Sequence, residues 1–235
     1  MLKYIGKSLL IEGGNERVLV IGDVHIGYGN RGEAMDIFVN SGLFDALIKD
    51  FEEISNAVGK IDKIILLGDL KHSLSAIADE EKYGLINLLD YLEKKTKEIV
   101  IIKGNHDNYL LNLTSRRKIK VLDYYIWKGY CFLHGDKDFL EIYDKKIKYW
   151  VMGHIHPAIK LYEGSKVEKY KCFLSGKFRG KKIIILPSFL EVGDGIDVRE
   201  LDREMPWNFK LEDFDVFVVG SELEVLKFGK LKKIQ

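Results

Sequence analysis

The stretch Ile64-Ile65-Leu66-Leu67-Gly68-Asp69 decides the fold, because a continuous aliphatic run ends there in a glycine and a carboxylate. Aliphatic residues without polar alternation are typical of a strand buried on both faces, as in a parallel sheet. Polar side chains follow four further apolar runs, and three of these runs also end in glycine. These runs are residues 18–22 before Asp23, 99–104 before Asn105, 130–133 before His134, and 149–153 before His154.

Two helical patterns separate the first three of these predicted strands. One covers about residues 43–58 and the other about residues 79–95, with apolar side chains recurring on one face at helical spacing. Ser41 and Asp79 are the predicted N-caps. An alternation of strands and helices predicts parallel strands joined by right-handed crossovers. In such a sheet, ligands bind beyond the carboxyl ends of the strands.

The second half of the chain changes character, since short connections replace the helices. Hairpins are predicted around Lys128-Gly129 and Gly220-Ser221, and residues 200–208 are predicted to form a surface loop. The predicted fold is therefore α/β in the first half and α+β in the second, with two facing mixed sheets and helices outside. We expect one domain over residues 1–235. Further strands are predicted at residues 159–162, 170–174 and 182–186.

Composition and charge set limits on the function. Of the 235 residues, 46% are hydrophobic and 31% charged, which is typical of a globular chain. The formal net charge of +1 argues neither for nor against binding of nucleic acid. Only a local basic patch could show whether the chain binds it. Cys131 and Cys172 lie in apolar runs and are predicted to be buried thiols in a reducing, cytoplasmic setting. No run approaches the ~18 apolar residues of a membrane span, so no membrane partner is predicted.

Five of the six histidines lie at the predicted strand ends, beside carboxylates and one asparagine. Asp23 and His25 are two residues apart, so on an extended segment they point the same way and can reach one ion. His154 and His156 have the same spacing, but in a turn they can diverge to two ions. Asp69 is the central candidate to bridge two cations. Such a pair, ~3.5–4 Å apart, clamps both oxygens of a phosphoryl displacement and makes hydroxide available at neutral pH.

These segments, taken in order, resemble the motifs of the calcineurin-like metallophosphoesterase superfamily. The likeness spans about residues 18–156 and extends to Leu186-Pro187-Ser188-Phe189. One Gly-Asp pair is uninformative, but the full ordered set is highly specific. The resemblance implies a four-layer αββα sandwich. The motifs are Asp23-x-His25, Gly68-Asp69, Gly104-Asn105-His106-Asp107, His134 and Gly153-His154-x-His156.

The same resemblance implies a role for each residue. His106 would not be a ligand; it would stabilise the phosphoryl charge or protonate the leaving oxygen. Asp107 is expected to hold the His106 imidazole in the right tautomer, the alternative being a carboxylate that caps the loop. Two divalent ions are implied, with Mn²⁺ preferred and Fe, Zn²⁺ or Ni as alternatives. The first ion would take Asp23, His25, Asp69 and His156, and the second would take Asp69, Asn105, His134 and His154.

The segment Gly68-Asp69-Leu70-Lys71-His72 is similar to the DNA double-strand-break repair nucleases, and most of all to the short archaeal phosphoesterases related to them. We expect the chain to be too short for the DNA-capping domain and partner-docking segment of those nucleases, so binding to a repair ATPase is not implied and protein partners stay unknown. His72 is predicted either to contact or support the substrate site or to be a solvated loop residue. Arg116 and Arg117 are predicted substrate contacts, because their basic cluster follows the Asn-His-Asp loop. The basic clusters at 177–182 and 227–233 either line a phosphate track or are solvated faces.

The predicted function is that of a dinuclear-metal-dependent phosphoester hydrolase. The leading hypothesis is a Mn²⁺-dependent phosphodiesterase, with DNA or RNA as a candidate substrate. A phosphomonoesterase or small-nucleotide hydrolase is the alternative within the same chemistry. A non-enzymatic interaction module on the same fold is a third hypothesis, which the complete ligand set disfavours.

Overall fold

A computed structural model describes residues 1–28, 34–74, 79–108, 110–190, 195–201 and 205–234, with only the backbone of residues 34–41 and Glu80. The first sheet contains six strands in the order β1 to β6. Its first three strands are antiparallel neighbours, whereas β3, β4, β5 and β6 run parallel. These strands are β1 (Leu2–Ile5), β2 (Ser8–Gly13), β3 (Glu16–Ile21), β4 (Lys63–Leu66), β5 (Glu98–Ile102) and β6 (Ile119–Leu122).

The second sheet, as far as the chain is described, has nine strands and is also mixed. Its main order is β13-β10-β11-β12-β9-β8-β7, and β14 joins it by pairing with β11 and β15. The parallel pairs are β8 with β9, β9 with β12, and β10 with β13. The strands are β7 (Tyr124–Trp127), β8 (Tyr130–Leu133), β9 (Tyr149–Met152), β10 (Pro157–Glu163), β11 (Lys166–Phe178), β12 (Lys181–Ile185), β13 (Ile196–Asp197), β14 (Asp215–Val219) and β15 (Val225–Lys230).

The described residues form three α-helices, all in the first half of the chain: α1 (Ala34–Val58), α2 (Asp79–Lys95) and α3 (Leu110–Thr114). The second helix has the predicted bounds, but α1 begins nine residues before the predicted start at 43. Ser41 therefore lies inside the helix and the prediction that it is the N-cap was wrong. A serine and a glycine at 41 and 42 cost a helix only about 1 kcal/mol each or less, so the helix can run through them.

Three apolar cores hold the layers together, and they confirm the predicted two-sheet sandwich. One lies between the first sheet and α1 and α2, one between the two sheets, and one on the outer face of the second sheet. Among the described residues, that outer face is covered by three short 3-10 helices and irregular segments. The 3-10 helices are Leu140–Tyr143, Leu211–Asp213 and Leu231–Lys233.

The segment predicted as a surface loop at 200–208 is irregular where it is described, but it is not wholly exposed. Trp207 is buried in the outer core, with its ring centroid 5.3 Å from that of Trp150. Burial of a large aromatic side chain stabilises the fold by more than the burial of the polar groups around it destabilises it. Cys131 and Cys172 are buried and unpaired with each other, as predicted. None of the described helices combines the length and apolar character of a membrane span.

Packing between the sheets should dominate the stability of the sandwich. Phe173 is fully buried in the core between the sheets, whereas the Phe228 side chain is 43% exposed. We expect Phe173→Ala to lower the free energy of unfolding by about 3–5 kcal/mol, because it leaves a cavity. The matched change Phe228→Ala should cost less than about 1 kcal/mol. Urea denaturation measures both, and equal losses would contradict this location of the core.

Candidate metal centre

The loops that follow β3 and β4 are held side by side by backbone hydrogen bonds. The Val24 and His25 amides donate to the Asp69 carbonyl at 3.2 and 2.8 Å, and the Ile26 amide donates to the Leu70 carbonyl at 2.8 Å. These bonds extend the parallel pairing of the two strands beyond their carboxyl ends. Asp23 and Asp69 are thereby fixed at the same edge of the first sheet.

The second sheet reaches the same place through a contact with Asp23. The His154 backbone amide donates to both oxygens of the Asp23 carboxylate, at 3.1 and 3.0 Å. A Cβ on Gly153 would collide with that carboxylate, and a Cβ on Gly104 would collide with the Asp69 carboxylate. Glycine before each motif is thus required for the close approach of the loops.

Four of the predicted ligands have a left-handed backbone, which is rare for residues other than glycine. Their φ angles are 48° for His25, 48° for Asp69, 74° for His154 and 46° for His156. Each costs roughly 1–2 kcal/mol, and such strain persists where the surrounding structure demands it. The expectation that Asp23 and His25 lie on an extended segment was wrong. The two side chains nevertheless meet, because the turn at His25 brings its ring back toward Asp23.

The first group of electron-pair donors consists of Asp23, His25 and His156. The Nε2 atoms of His25 and His156 are 3.1 Å apart, and the His156 Nε2 is 3.3 Å from Asp23 Oδ1. His25 Nε2 also lies 3.8 Å from Asp69 Oδ2. The sequence-predicted ligands of the first ion therefore converge on one point.

The second group contains Asp69, His134 and His154, with Asn105 beside them. His134 Nε2 is 3.1 Å from His154 Nδ1, 3.1 Å from Asn105 Oδ1 and 3.4 Å from Asp69 Oδ2. On its other side, the His134 Nδ1–H donates to the Leu67 carbonyl at 2.8 Å, which directs Nε2 toward the group. His154 and His156 thus turn to different groups, as the sequence predicts.

The donor atoms fit divalent cations. Ligands that each lie about 2.0–2.2 Å from one ion are about 3–3.5 Å from one another, which matches most of the separations found here. The buried His25 Nδ1 has no hydrogen-bond partner among the described residues, while the opposite nitrogen faces another imidazole. Imidazole, carboxylate and amide donors without a thiolate suit Mn²⁺, Fe or Zn²⁺.

The electrostatics of the centre also favour bound positive charge. Burial alone would raise the pKa of Asp23, but the surrounding imidazoles hold it well below its usual range. Burial lowers the pKa of His25 to about 3 and that of His154 to about 4, so both rings are neutral at pH 7 and keep a lone pair. Burial alone would lower the pKa of His134. A hydrogen bond to Asp69 and the nearby carboxylate charges instead raise this pKa to about 9.

His106 lies on the open side of the centre. Its Nε2 is 3.9 Å from Asp69 Oδ2, and with His25 and Asp69 it forms a third group of potential donors. Its Nδ1 lies in close hydrogen-bond contact with the His72 carbonyl oxygen. The proton on Nδ1 is therefore directed away from the metal groups, and Nε2 faces them.

Asp107 does not orient the His106 ring in this structure, so the prediction of that role was wrong. Its buried carboxylate accepts hydrogen bonds from the Leu70 and Gly104 amides, both at 2.9 Å. The carbonyl of His72 occupies the position at His106 Nδ1 that Asp107 was expected to fill. Asp107 instead ties the loop after β5 to the loop after β4, which is the alternative of a loop-capping carboxylate.

His72 lies beside the centre and is half-buried, so it is not a fully solvated loop residue. Its ring stacks on that of His106 with centroids 6.0 Å apart, and Tyr28 meets it edge-on at 4.8 Å. Tyr28 gave no sequence signal, because no motif contains it.

The predicted substrate contacts Arg116 and Arg117 do not lie at the centre. Arg117 pairs with Asp90 at 2.7 Å and Glu93 at 2.6 Å, late in α2. The strand that follows, β6, starts opposite Ile99, at the amino end of β5. The turn that carries both arginines is therefore at the opposite edge of the sheet from the metal-binding motifs. Proximity in sequence to Asn105 was misleading because α3 leads the chain away.

Two residues without a predicted role support the loops. The buried Ser188 hydroxyl donates to the Asp23 carbonyl at 3.1 Å, and the Phe189 amide donates to the same oxygen at 2.8 Å. This contact explains why the Leu186-Pro187-Ser188-Phe189 likeness accompanies the metal motifs. Glu81 is buried in α2 and accepts from the Ser73 amide at 2.8 Å, which anchors the loop after β4. No sequence signal distinguishes Glu81 from the acidic residues beside it.

Solved structures with a similar fold include three of different origin. Nuclease MPE from Pseudomonas putida is 19% identical, with 97% of this chain and 94% of that chain covered and a TM-score of 0.61. Vacuolar Protein Sorting 29 from Cryptosporidium parvum is 17% identical, with coverages of 91% and 97% and a TM-score of 0.43. A predicted phosphoesterase from Streptococcus pneumoniae TIGR4 is 15% identical, with the same coverages and a TM-score of 0.34. At such identities, the first likeness shows a shared fold alone.

No curated protein has a significant match to this chain. The family model described as calcineurin-like phosphoesterase matches residues 16–136, which contain all the motifs up to His134. This match covers 121 of the 235 residues, counted from 16 to 136 inclusive. The chain belongs to the calcineurin-like phosphoesterase family.

Proposed function

We propose that this chain is a dinuclear-metal-dependent phosphoester hydrolase, and specifically a Mn²⁺-preferring phosphodiesterase. The observation that carries the proposal is the position of Asp69 Oδ2 between the two donor groups, 3.8 Å from His25 Nε2 and 3.4 Å from His134 Nε2. One carboxylate so placed can bridge two cations. The first ion would be held by Asp23, His25, Asp69 and His156, and the second by Asp69, Asn105, His134 and His154.

When bound, the two ions supply Lewis acidity toward the phosphoryl oxygens and a nucleophile from water near neutral pH. The protein contributes a buried floor, because Asp23, Asp69 and His134 are almost fully excluded from solvent. His106, His154 and His156 are half-buried and form the open side, so the substrate approaches there.

His106 is proposed to act on the substrate and not on a metal. Its Nδ1–H donates to the His72 carbonyl, and this bond fixes the orientation of the ring. A proton on Nε2 would then point to the open side. From that position it can donate to a phosphoryl oxygen or to the leaving oxygen.

Nucleic acid is the proposed substrate class, and the support for it comes from two directions. The similarly folded protein from Pseudomonas putida is named a nuclease, and we extend that activity to this chain as a proposal. The Gly68-Asp69-Leu70-Lys71-His72 segment is similar to the repair nucleases.

We also propose a reducing, cytoplasmic setting. Burial raises the pKa of Cys131 to about 12, so this thiol stays protonated and unreactive.

Metal dependence is the first prediction. The purified chain loaded with Mn²⁺ should hydrolyse bis(p-nitrophenyl) phosphate, and faster than it hydrolyses p-nitrophenyl phosphate. A chelator should abolish the rate, because the donor groups alone supply no nucleophile. Release of nitrophenolate measures both. Unchanged rates in chelator, or no turnover of either ester with metal, would contradict the proposed function, and the latter would favour a non-enzymatic module.

His106 provides the second prediction. His106→Ala should lower kcat by about 10²- to 10⁴-fold, because a positioned proton donor is lost. Metal analysis should still find two ions per chain. The control is Asn108→Ala in the same loop, where the exposed side chain donates to the Leu74 carbonyl at 3.4 Å. Loss of one ion in His106→Ala would instead make His106 a ligand.

Asp107 provides the third prediction. Asp107→Asn replaces one carboxylate oxygen with a donor, so one of the two buried amides loses its acceptor. We expect a loss of about 1–3 kcal/mol in the free energy of unfolding. Asp123→Asn, at an exposed aspartate, should leave stability unchanged. A shifted pH–rate profile with wild-type stability would restore the tautomer-holding role.

A further inference from the structure

Two of the basic clusters in the sequence line one groove, although about 45 residues separate them. One wall is the turn between β11 and β12, and the other contains β14, β15 and the segment before them. The opening has a volume of ≈ 830 Å³. We call it the basic groove, and its charged lining residues are Lys177, Arg179, Lys182, Lys210, Asp213, Asp215, Lys227 and Lys230.

The basic groove has a surplus of four positive charges, since six cationic side chains face two carboxylates. Lys227 pairs with Asp215 at 3.4 Å, but Lys230 donates to a carbonyl oxygen. Within the described ranges, no carboxylate pairs with Lys177, Lys182 or Lys210, and all three are exposed. Cations on both walls outnumber the local carboxylates and create a field that attracts an extended polyanion.

Aromatic rings lie among these cations. Phe178 and Phe217 line the groove, and both residues are half-buried. The Arg179 guanidinium lies 5.2 Å from the Phe178 centroid, and Lys227 Nζ lies 5.6 Å from the Phe217 centroid. Cations that follow a backbone and rings that accept stacked bases are the combination used to bind single-stranded nucleic acid.

The basic groove lies away from the proposed metal centre, partly along the strands of the second sheet and partly across them. Strands β9 and β12 run parallel, and their carboxyl ends lead to His154 and to Ser188, which contacts Asp23. Lys182 is at the amino end of β12, where Lys177 pairs with it, and three residues at 3.3 Å each separate it from the carboxyl end by about 10 Å. Asp215 and its partner Lys230 are level with Ile184, near that carboxyl end. They are separated from the centre across the sheet, because β11 and β12 lie between β14 and β9.

We infer that the basic groove binds the phosphate backbone of single-stranded nucleic acid, at a site separate from the metal centre. The opening is too large and too open for one phosphate ion, and a concave shape does not match a flat lipid surface. Bound there, a strand could be retained while another part of it reaches the metal centre. The binding itself does not require catalysis.

The test is the affinity for a fluorescent 30-nucleotide oligothymidine, measured by anisotropy over a range of salt. Chelator is present, so the strand is not cleaved. The variant Lys177→Ala/Lys182→Ala/Lys210→Ala should bind roughly tenfold or more weakly at low salt. The slope of log Kd against log salt should fall by about 2, because each lost phosphate contact removes about 0.7. Hydrolysis of bis(p-nitrophenyl) phosphate with Mn²⁺ should be unchanged.

The matched control is Lys3→Ala/Lys94→Ala/Lys97→Ala, three exposed lysines outside the groove, which should bind like the wild type. Circular dichroism verifies that both variants are folded. Wild-type binding by the groove variant, equal losses in both variants, or no binding by the wild type would overturn the inference. Tighter groove-dependent binding of polyglutamate than of the oligonucleotide would overturn it in favour of an acidic protein partner. A failure of diester hydrolysis alone bears on the proposed function and leaves this binding result intact.

Discussion

Two buried carboxylates within a cluster of imidazoles are the constraint on which the rest of this structure depends. Asp23 and Asp69 are almost completely removed from water, and burying a charge is costly unless an opposite charge lies close by. The neutral rings of His25 and His154 cannot provide that charge. A pair of divalent cations would compensate both carboxylates and use every lone pair that converges on them.

The fold is arranged to hold this cluster in place. Parallel strands bring their carboxyl ends to one edge of each sheet, and the hydrogen bond from His154 to Asp23 joins the two edges. Ser188, Glu81 and Asp107 act behind the ligands by fixing loop backbone. The strained backbone at four of the ligands is stabilised by this surrounding network, so the geometry does not depend on flexible side chains.

Much of the fold and the site could be predicted from the sequence, because the same pattern, an apolar run followed by polar residues, recurs along the chain. Continuous apolar runs predicted the buried strands, and the ends of these runs located Asp23, Asp69 and His134. The start of α1 could not be predicted, since the serine and glycine that suggest a boundary are tolerated inside a helix. The positions of Arg117 and Asp107 depend on long-range contacts, which neighbouring residues in sequence do not encode. The basic groove could not be predicted either, because sheet pairing brings together Lys182 and Lys230, which are far apart in the sequence.

The measurement that tests the central claim most directly is anomalous X-ray diffraction from crystals grown with Mn²⁺, collected at the manganese absorption edge. Two anomalous peaks about 3.5–4 Å apart are expected, one on each side of the Asp69 carboxylate. A single peak, or two peaks without Asp69 between them, would contradict the shared carboxylate and with it the dinuclear centre.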